Sequence, residues 1–145
     1  MAYIEDSEKI NQLFSETWMM RFSETWNSDN SIIQPLSEHS FSAEIGYGLL
    51  GEAQPLAVIT IVDGYIEYAG EYLGQQLDWD MRANEQDWQQ WLHYGLPIAR
   101  LGLMLSCKRL QFKQGNYRQL LRATEISGAF LRSFELMHTL EKHVN

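Results

Sequence analysis

The chain reads as an α+β domain, with helices at both ends and a run of strands between them. Three observations predict this. From Phe41 to Ala83 the apolar residues recur with period two, the spacing of half-buried strands. Within that stretch Asp63-Gly64 is a two-residue hairpin signal. Before and after it the apolar spacing lengthens to three and four residues, as on helices. Consecutive strands flanked by helices pack as a sheet with helices over one face.

Residues 6–28 read as the first helix, capped by Asp6 or Ser7 and free of Gly and Pro. Phe-Ser-Glu-Thr-Trp occurs twice in it, at 14–18 and 22–26. Phe14, Trp18, Phe22 and Trp26 therefore recur every four residues. Each such step drifts ~40° around a helix, so the rings span ~120° of one wall. Two short copies in one helix are too little for a repeat architecture, whose units run to roughly 20 residues or more. Asn27 to Asn30 form a polar exit, and a short segment with Ile32, Ile33 and Leu36 follows.

The first strand is expected over Phe41–Leu49, where Ser42, Glu44, Gly46 and Gly48 fill the alternate positions. The lone Gly46-Tyr47-Gly48 reads as close packing or a bulge rather than a nucleotide loop. Pro55–Val62 is apolar on both faces and predicts a central strand; Tyr65–Tyr72 returns after the turn. Leu77, Trp79, Met81 and Ala83 alternate with Asp78, Asp80 and Arg82, which predicts another strand with its aspartates toward solvent. Asn84 opens a helix carrying Trp88, Trp91 and Leu92 on one face. Gly95 and Pro97 end it and begin another, over 97–107, which is apolar nearly all round and so expected to be deeply buried or to face an apolar ligand. Leu110–Lys113 reads as a last strand, Gly115-Asn116 as a turn and 117–141 as a long helix.

With 145 residues and no linker, residues 1–145 are expected to form one domain. The net charge is −8, from 11 basic and 19 acidic residues, and no basic stripe is present to meet nucleic acid or an anionic membrane surface. No apolar run is long enough to span a bilayer. A single cysteine, Cys107, excludes an internal disulfide framework. With no signal-peptide pattern at the N-terminus, the cytoplasm is the expected location.

No catalytic constellation is visible. The sequence has no P-loop, no G-x-S-x-G and no H-E-x-x-H. Glu135-x-x-His138 is a lone i, i+3 pair, whereas di-iron bundles need two such pairs and further carboxylates. Asp78 and Asp80 would have to be desolvated to work as an acid/base pair. Cys107, in an apolar helix, reads as inert. No cofactor and no metal is expected, and what remains is apolar surface.

The arrangement resembles the sterol carrier protein two (SCP-2) type of lipid-binding domain. The residues that carry the resemblance are the aromatic helix ending in Trp26-Asn27, the strand pair AVITIVDGYIEYAGE, the run Leu77–Ala83 leading to Trp88 and Trp91, and Phe112-Lys-Gln-Gly-Asn-Tyr117 before the last helix. No one motif is specific; their order and spacing over roughly the whole chain carry the likeness. It implies an α+β fold with a five-stranded, mostly antiparallel sheet, helices over one face, and a non-enzymatic role binding a fatty acid, acyl chain or sterol-like lipid in a tunnel between the two layers.

The expected apolar lining draws on the first helix (Trp18, Phe22, Trp26) and the sheet (Ile59, Ile61, Trp79). Later helices add Trp88, Trp91, Leu101, Leu105, Leu121, Phe130 and Phe134. Arg21, Arg82 or Arg100 is expected at a ligand head group, with no ground for choosing among them. Two alternatives stand beside this reading. An accessory domain with a closed aromatic core would bind a protein partner or itself. A small cone-barrel enzyme, similar to nuclear-transport-factor-like isomerases and dehydratases, also opens with a Trp-bearing helix, but would need an acid/base pair at its pocket.

Overall fold

In the computed structural model, which describes residues 13–115 and 124–144, Ser15 starts the first helix, α1 (Glu16–Asn27), by accepting a hydrogen bond from the Trp18 N–H at 3.3 Å. The expected start at residue 6 is corrected at this point. Phe14 has φ 55° and Ser15 is extended, which breaks any helical run from upstream; residues 6–12 of the expected helix lie outside the described residues. The two Phe-Ser-Glu-Thr-Trp copies therefore differ: Ser15 caps, whereas Ser23 sits inside the helix and donates to the Met20 carbonyl. Phe14 still joins the aromatic wall, packing edge-on to Trp18 with ring centroids 5.4 Å apart.

The expected polar exit after α1 is brief. The Asp29 side chain accepts from the Ser31 N–H at 2.9 Å and caps a second helix, α2 (Asn30–Glu38), which holds Pro35 within it and buries Ile32, Ile33 and Leu36. Five strands follow in the sheet order β3-β2-β1-β4-β5. They are β1 (Ala43–Leu49), β2 (Ala57–Val62), β3 (Tyr65–Glu71), β4 (Trp79–Ala83) and β5 (Gln111–Gln114). The β1–β4 pair is parallel and the other pairs are antiparallel, so the sheet is mixed. Between β4 and β5 lie α3 (Glu85–Tyr94) and α4 (Ile98–Ser106), and α5 (Thr124–Val144) closes the described chain. The turn at Asn116 and residues 117–123 of the expected last helix lie outside the described residues.

The Asp63-Gly64 hairpin is present, with φ 49° and 90°, the pair of positive values a type I′ turn requires. It does more than reverse the chain. A Cβ on Gly64 would lie 2.7 Å from the Ser37 nitrogen and 3.1 Å from the Ile33 oxygen, so the turn is pressed against the α2 backbone. The Trp26 indole N–H donates to the Gly64 carbonyl at 2.9 Å. Next to it, the Asn27 amide donates to the Ile66 carbonyl and accepts from the Ile66 N–H, both at 2.9 Å. The end of α1 is thereby fastened to the edge strand by three hydrogen bonds.

Helices α1, α2, α3 and α5 place buried side chains over the front face, on which Ile45, Tyr47, Ile59, Ile61, Ile66 and Met81 lie within the main core cluster. The back face differs from expectation. Asp80 and Arg82 are only 6% and 2% exposed and pair with each other, instead of facing solvent. The reason is that Pro55 and Leu77 lie over this face. Cβ atoms on Gly46 would come within 2.9 Å of Leu77, and on Gly48 within 2.8 Å of Pro55. The two glycines of Gly46-Tyr47-Gly48 thus mark close packing, and Leu77 lies on this side rather than beside Trp79.

Helix α4 also departs from the expectation of burial all round. Leu101 and Met104 are buried, but Leu103 is 55% exposed. One face meets the core and the other meets solvent.

Candidate functional site

Between the front face and the helices lies an apolar slot. Its floor is Ile45 and Tyr47 of β1, Ile61 of β2, and Trp79 and Met81 of β4; its walls and roof are Trp26, Leu36, Phe41, Ile126, Phe130 and Ser133. Strand alternation puts the five floor residues on one face, and spacing of four and three residues puts Ile126, Phe130 and Ser133 on one side of α5. The open volume within is ≈ 20 Å³, room for about one water molecule.

Local contacts hold the walls in place. Phe41 stacks on Trp79 with ring centroids 5.6 Å apart. Behind Trp79, Gly115 has φ 92°, and a Cβ there would fall 2.1 Å from the indole Cδ1. Only glycine serves at that position, both for its backbone angle and because the chain presses directly on the indole. Helix α5 is held by the Arg132 guanidinium, which donates to Asp29 at 2.9 and 3.1 Å and to Glu135 at 2.7 Å. On the next turn, His138 Nδ1 lies 2.9 Å from the Leu92 carbonyl of α3. Burial pushes the Asp29 carboxyl up, but hydrogen bonds from the Ser31 side chain, Arg132 and the Ser31 backbone outweigh this and leave it below its ordinary range. The hydrogen bonds it donates to Glu135 and Asp29 correspondingly raise the Arg132 guanidinium.

Among the described residues no charged side chain lines the slot; its polar residues are Tyr47 and Ser133, apart from the Trp26 and Trp79 indoles. Tyr47 is 2% exposed, with its ring against Phe14 and Trp88, and desolvation pushes its phenol well above the ordinary value. The Ser133 hydroxyl donates to the Phe130 carbonyl one turn back.

Of the residues expected to line a ligand site, Trp26, Ile61, Trp79 and Phe130 meet around this slot. Trp18, Phe22, Ile59, Trp88, Trp91, Leu101 and Phe134 are buried elsewhere in the core, and Leu105 packs against it. Leu121 lies outside the described residues. Arg21 is exposed on α1 and Arg100 on α4, where Arg100 borders a separate surface hollow with Trp91 and Tyr94. Arg82 is held behind the sheet, where its guanidinium donates to Asp80 at 2.6 and 3.0 Å and to the Leu49 and Glu52 carbonyls at 3.0 and 2.7 Å. Sequence reasoning missed Leu36, Phe41, Ile45, Tyr47, Met81, Ile126 and Ser133. The alternation that marked Trp79 and Ile61 also marks Ile45, Tyr47 and Met81, and could have found them.

No protein-family model and no curated protein matches the chain. Solved structures do. A crystal structure of sterol carrier protein 2 superposes with a TM-score of 0.69 at 17% identity, covering 88% of this chain and 98% of that one. A conserved hypothetical protein from Thermus thermophilus, described as a candidate sterol carrier protein, gives 0.67 at 18% identity over 89% and 90%. A UbiJ-SCP2 ubiquinone synthesis protein gives 0.55 at 8% identity over 82% and 90%. The mixed five-stranded sheet, the helices over its front face and these superpositions together establish that the chain has an SCP-2-like fold.

Proposed function

We propose that the chain, as one domain, is a non-enzymatic cytoplasmic binder of an apolar ligand such as an acyl chain or a sterol-like lipid. The observation that carries this reading is the uncharged slot between sheet and helices, roofed by α5. The names of the structural neighbours, sterol carrier and ubiquinone synthesis, support it, since both concern largely apolar molecules. No described helix is long and apolar enough to cross a membrane.

A volume of ≈ 20 Å³ is far below the ~300 Å³ or more of an ordinary ligand pocket. Binding therefore requires α5 to lift from the sheet, breaking its ties to Asp29 and Leu92. Burial of roughly 0.8 kcal/mol per CH₂ drives this, so a twelve-carbon chain supplies roughly 10 kcal/mol against the costs of opening and of association. Trp26, Ile61, Trp79 and Phe130 would then line the ligand directly.

The same small volume favours a second reading, a closed aromatic core that serves as an accessory domain for a protein partner. Native purification, organic extraction and mass spectrometry separate the two, together with titration of a long-chain lipid read by Trp fluorescence. A co-purified lipid and a saturable Trp signal are expected. Absence of both, with a stoichiometric protein complex instead, would overturn the first reading in favour of the second.

A further inference from the structure

The net charge of −8 hides a segregation along the chain. Between Asp87 and Glu125 there is no acidic residue, yet six of the 11 basic ones fall there: Arg100, Lys108, Arg109, Lys113, Arg118 and Arg122. The last two lie outside the described residues. Arg109 is taken up by Asp87, and the Lys113 ammonium donates to the Ala53 carbonyl. Arg100 and Lys108 are exposed, and among the described residues neither has an acidic partner. They stand near the start and just past the end of α4. Between them the outer face of this helix is uncharged. Ala99, Gly102, Leu103 and Ser106, spaced as one helix face, are all exposed. A Cβ on Gly102 would meet nothing within 4 Å, so no internal contact calls for a residue that weakens a helix. At the head of α4, Trp91, Tyr94 and Pro97 border the surface hollow together with Arg100, and Tyr94 is 73% exposed.

We propose that the outer face of α4 receives an acidic amphipathic helix of a protein partner. One apolar side chain of that helix seats in the hollow beside Tyr94, its apolar seam runs past Leu103, and its carboxylates meet Arg100 and Lys108. The small side chains of Ala99, Gly102 and Ser106 let two helix backbones approach closely. A face made to enter a bilayer would carry large apolar residues at those positions instead. A second copy of this chain, packed about a twofold axis, is also the poorer fit. It would bring the Arg100 and Lys108 cations of both copies together with no acid on the face to meet them. The face lies outside the slot, so the inference stands whether or not an apolar ligand is bound there.

The test follows the fluorescence anisotropy of two labelled helical peptides titrated with the whole protein. Both carry the same leucine seam, flanked by glutamates in one and by lysines in the other. The acidic peptide is expected to bind saturably, and more weakly as salt rises; the basic one is expected not to bind. Arg100→Glu combined with Lys108→Glu should weaken the acidic peptide about 10-fold, through two exposed pairs lost and reversed. Gly102→Leu should weaken it at least as much while the thermal midpoint of the protein holds or rises, since nothing within the fold meets that position. Equal binding of the two peptides, binding of neither, or an unchanged affinity in Gly102→Leu would overturn the proposal. So would cosedimentation with phosphatidylglycerol vesicles that Gly102→Leu strengthens, which gives the face to an anionic bilayer. A concentration-dependent dimer that Leu103→Glu dissolves would overturn it too, in favour of a second copy.

Discussion

Replacing Arg82 by methionine tests whether this cation belongs to the back of the sheet rather than to a ligand. Arg82 is 2% exposed and makes four hydrogen bonds, two to Asp80 and one each to the Leu49 and Glu52 carbonyls. Methionine retains much of the stem's packing and removes every donor. Asp80, itself 6% exposed, is left as a buried charge without its partner, a loss of ~3–5 kcal/mol. The two carbonyls add little, since Glu52 is exposed and Leu49 only half-buried, so water can replace the guanidinium there. Urea unfolding followed by Trp fluorescence should show this loss against a total stability of ~5–15 kcal/mol for such a domain. Adding Asp80→Leu should recover most of it, because the uncompensated carboxylate is what costs, not the absence of the pair. Titration with an apolar probe, at the fraction still folded, should be unchanged. A loss below ~1 kcal/mol, the range of an exposed pair, would refute the buried-pair argument; lost probe affinity in the folded fraction would return Arg82 to the ligand.

Five further substitutions probe other parts of the argument. Gly64→Ala should cost ~2–4 kcal/mol by thermal unfolding, combining a left-handed backbone with a Cβ 2.7 Å from the Ser37 nitrogen. Gly51→Ala, at φ 87° with nothing within 4 Å, should show only the backbone part, ~1–2 kcal/mol. Trp88→Phe should be more destabilising than Trp18→Phe by ~1–3 kcal/mol. The first orphans the buried Gly48 carbonyl, whereas the Trp18 N–H has no partner among the described residues to lose; equal losses in urea unfolding would contradict this. Asp29→Ala should remove ~1–2 kcal/mol of stability by loss of the α2 cap, with the tie to α5 lost as well. Because the Asp29 carboxyl is held below its unfolded value, ~3.9, the wild-type advantage should be full above about pH 4 and vanish as pH falls through the lower native value. An advantage that instead grows on acidification would have the wrong sign for a depressed carboxyl.

The elements that could be read in the sequence are those whose signals are local. Alternation located the strands to within two residues at most ends, and Asp63-Gly64 specified its turn because few residue pairs tolerate two positive φ angles. What could not be read depended on a distant partner. Asp80 and Arg82 resemble a solvated strand face until Pro55 and Leu77 are known to lie over them. Helix α2 was hidden by Pro35 and by a polar run in which Asp29 turned out to be a cap. The parallel pairing of β1 with β4 has no local mark at all. At the candidate site, Trp26, Ile61, Trp79 and Phe130 were legible as large apolar residues on core-facing positions. Tyr47 was legible as a strand residue, but its place in the slot floor is a property of the assembled interior. The aromatic composition overstated the site, since most of the tryptophans fill core rather than line the slot.

The parallel β1–β4 contact also orders events in time. Strands β1, β2 and β3 are joined by short connections and pair with their sequence neighbours, so this meander closes only small loops. Pairing Ile45 with Trp79 has to wait until the chain has come back past both hairpin partners, and long-range closure of this kind is a slow step. The slot floor straddles that seam: Ile45 and Tyr47 lie on one side of it, Trp79 and Met81 on the other. During refolding the meander and its Trp26 tether are expected to assemble before the floor exists. An apolar probe that reports on the slot should therefore gain its signal in the last kinetic phase, after the bulk of the secondary structure has appeared.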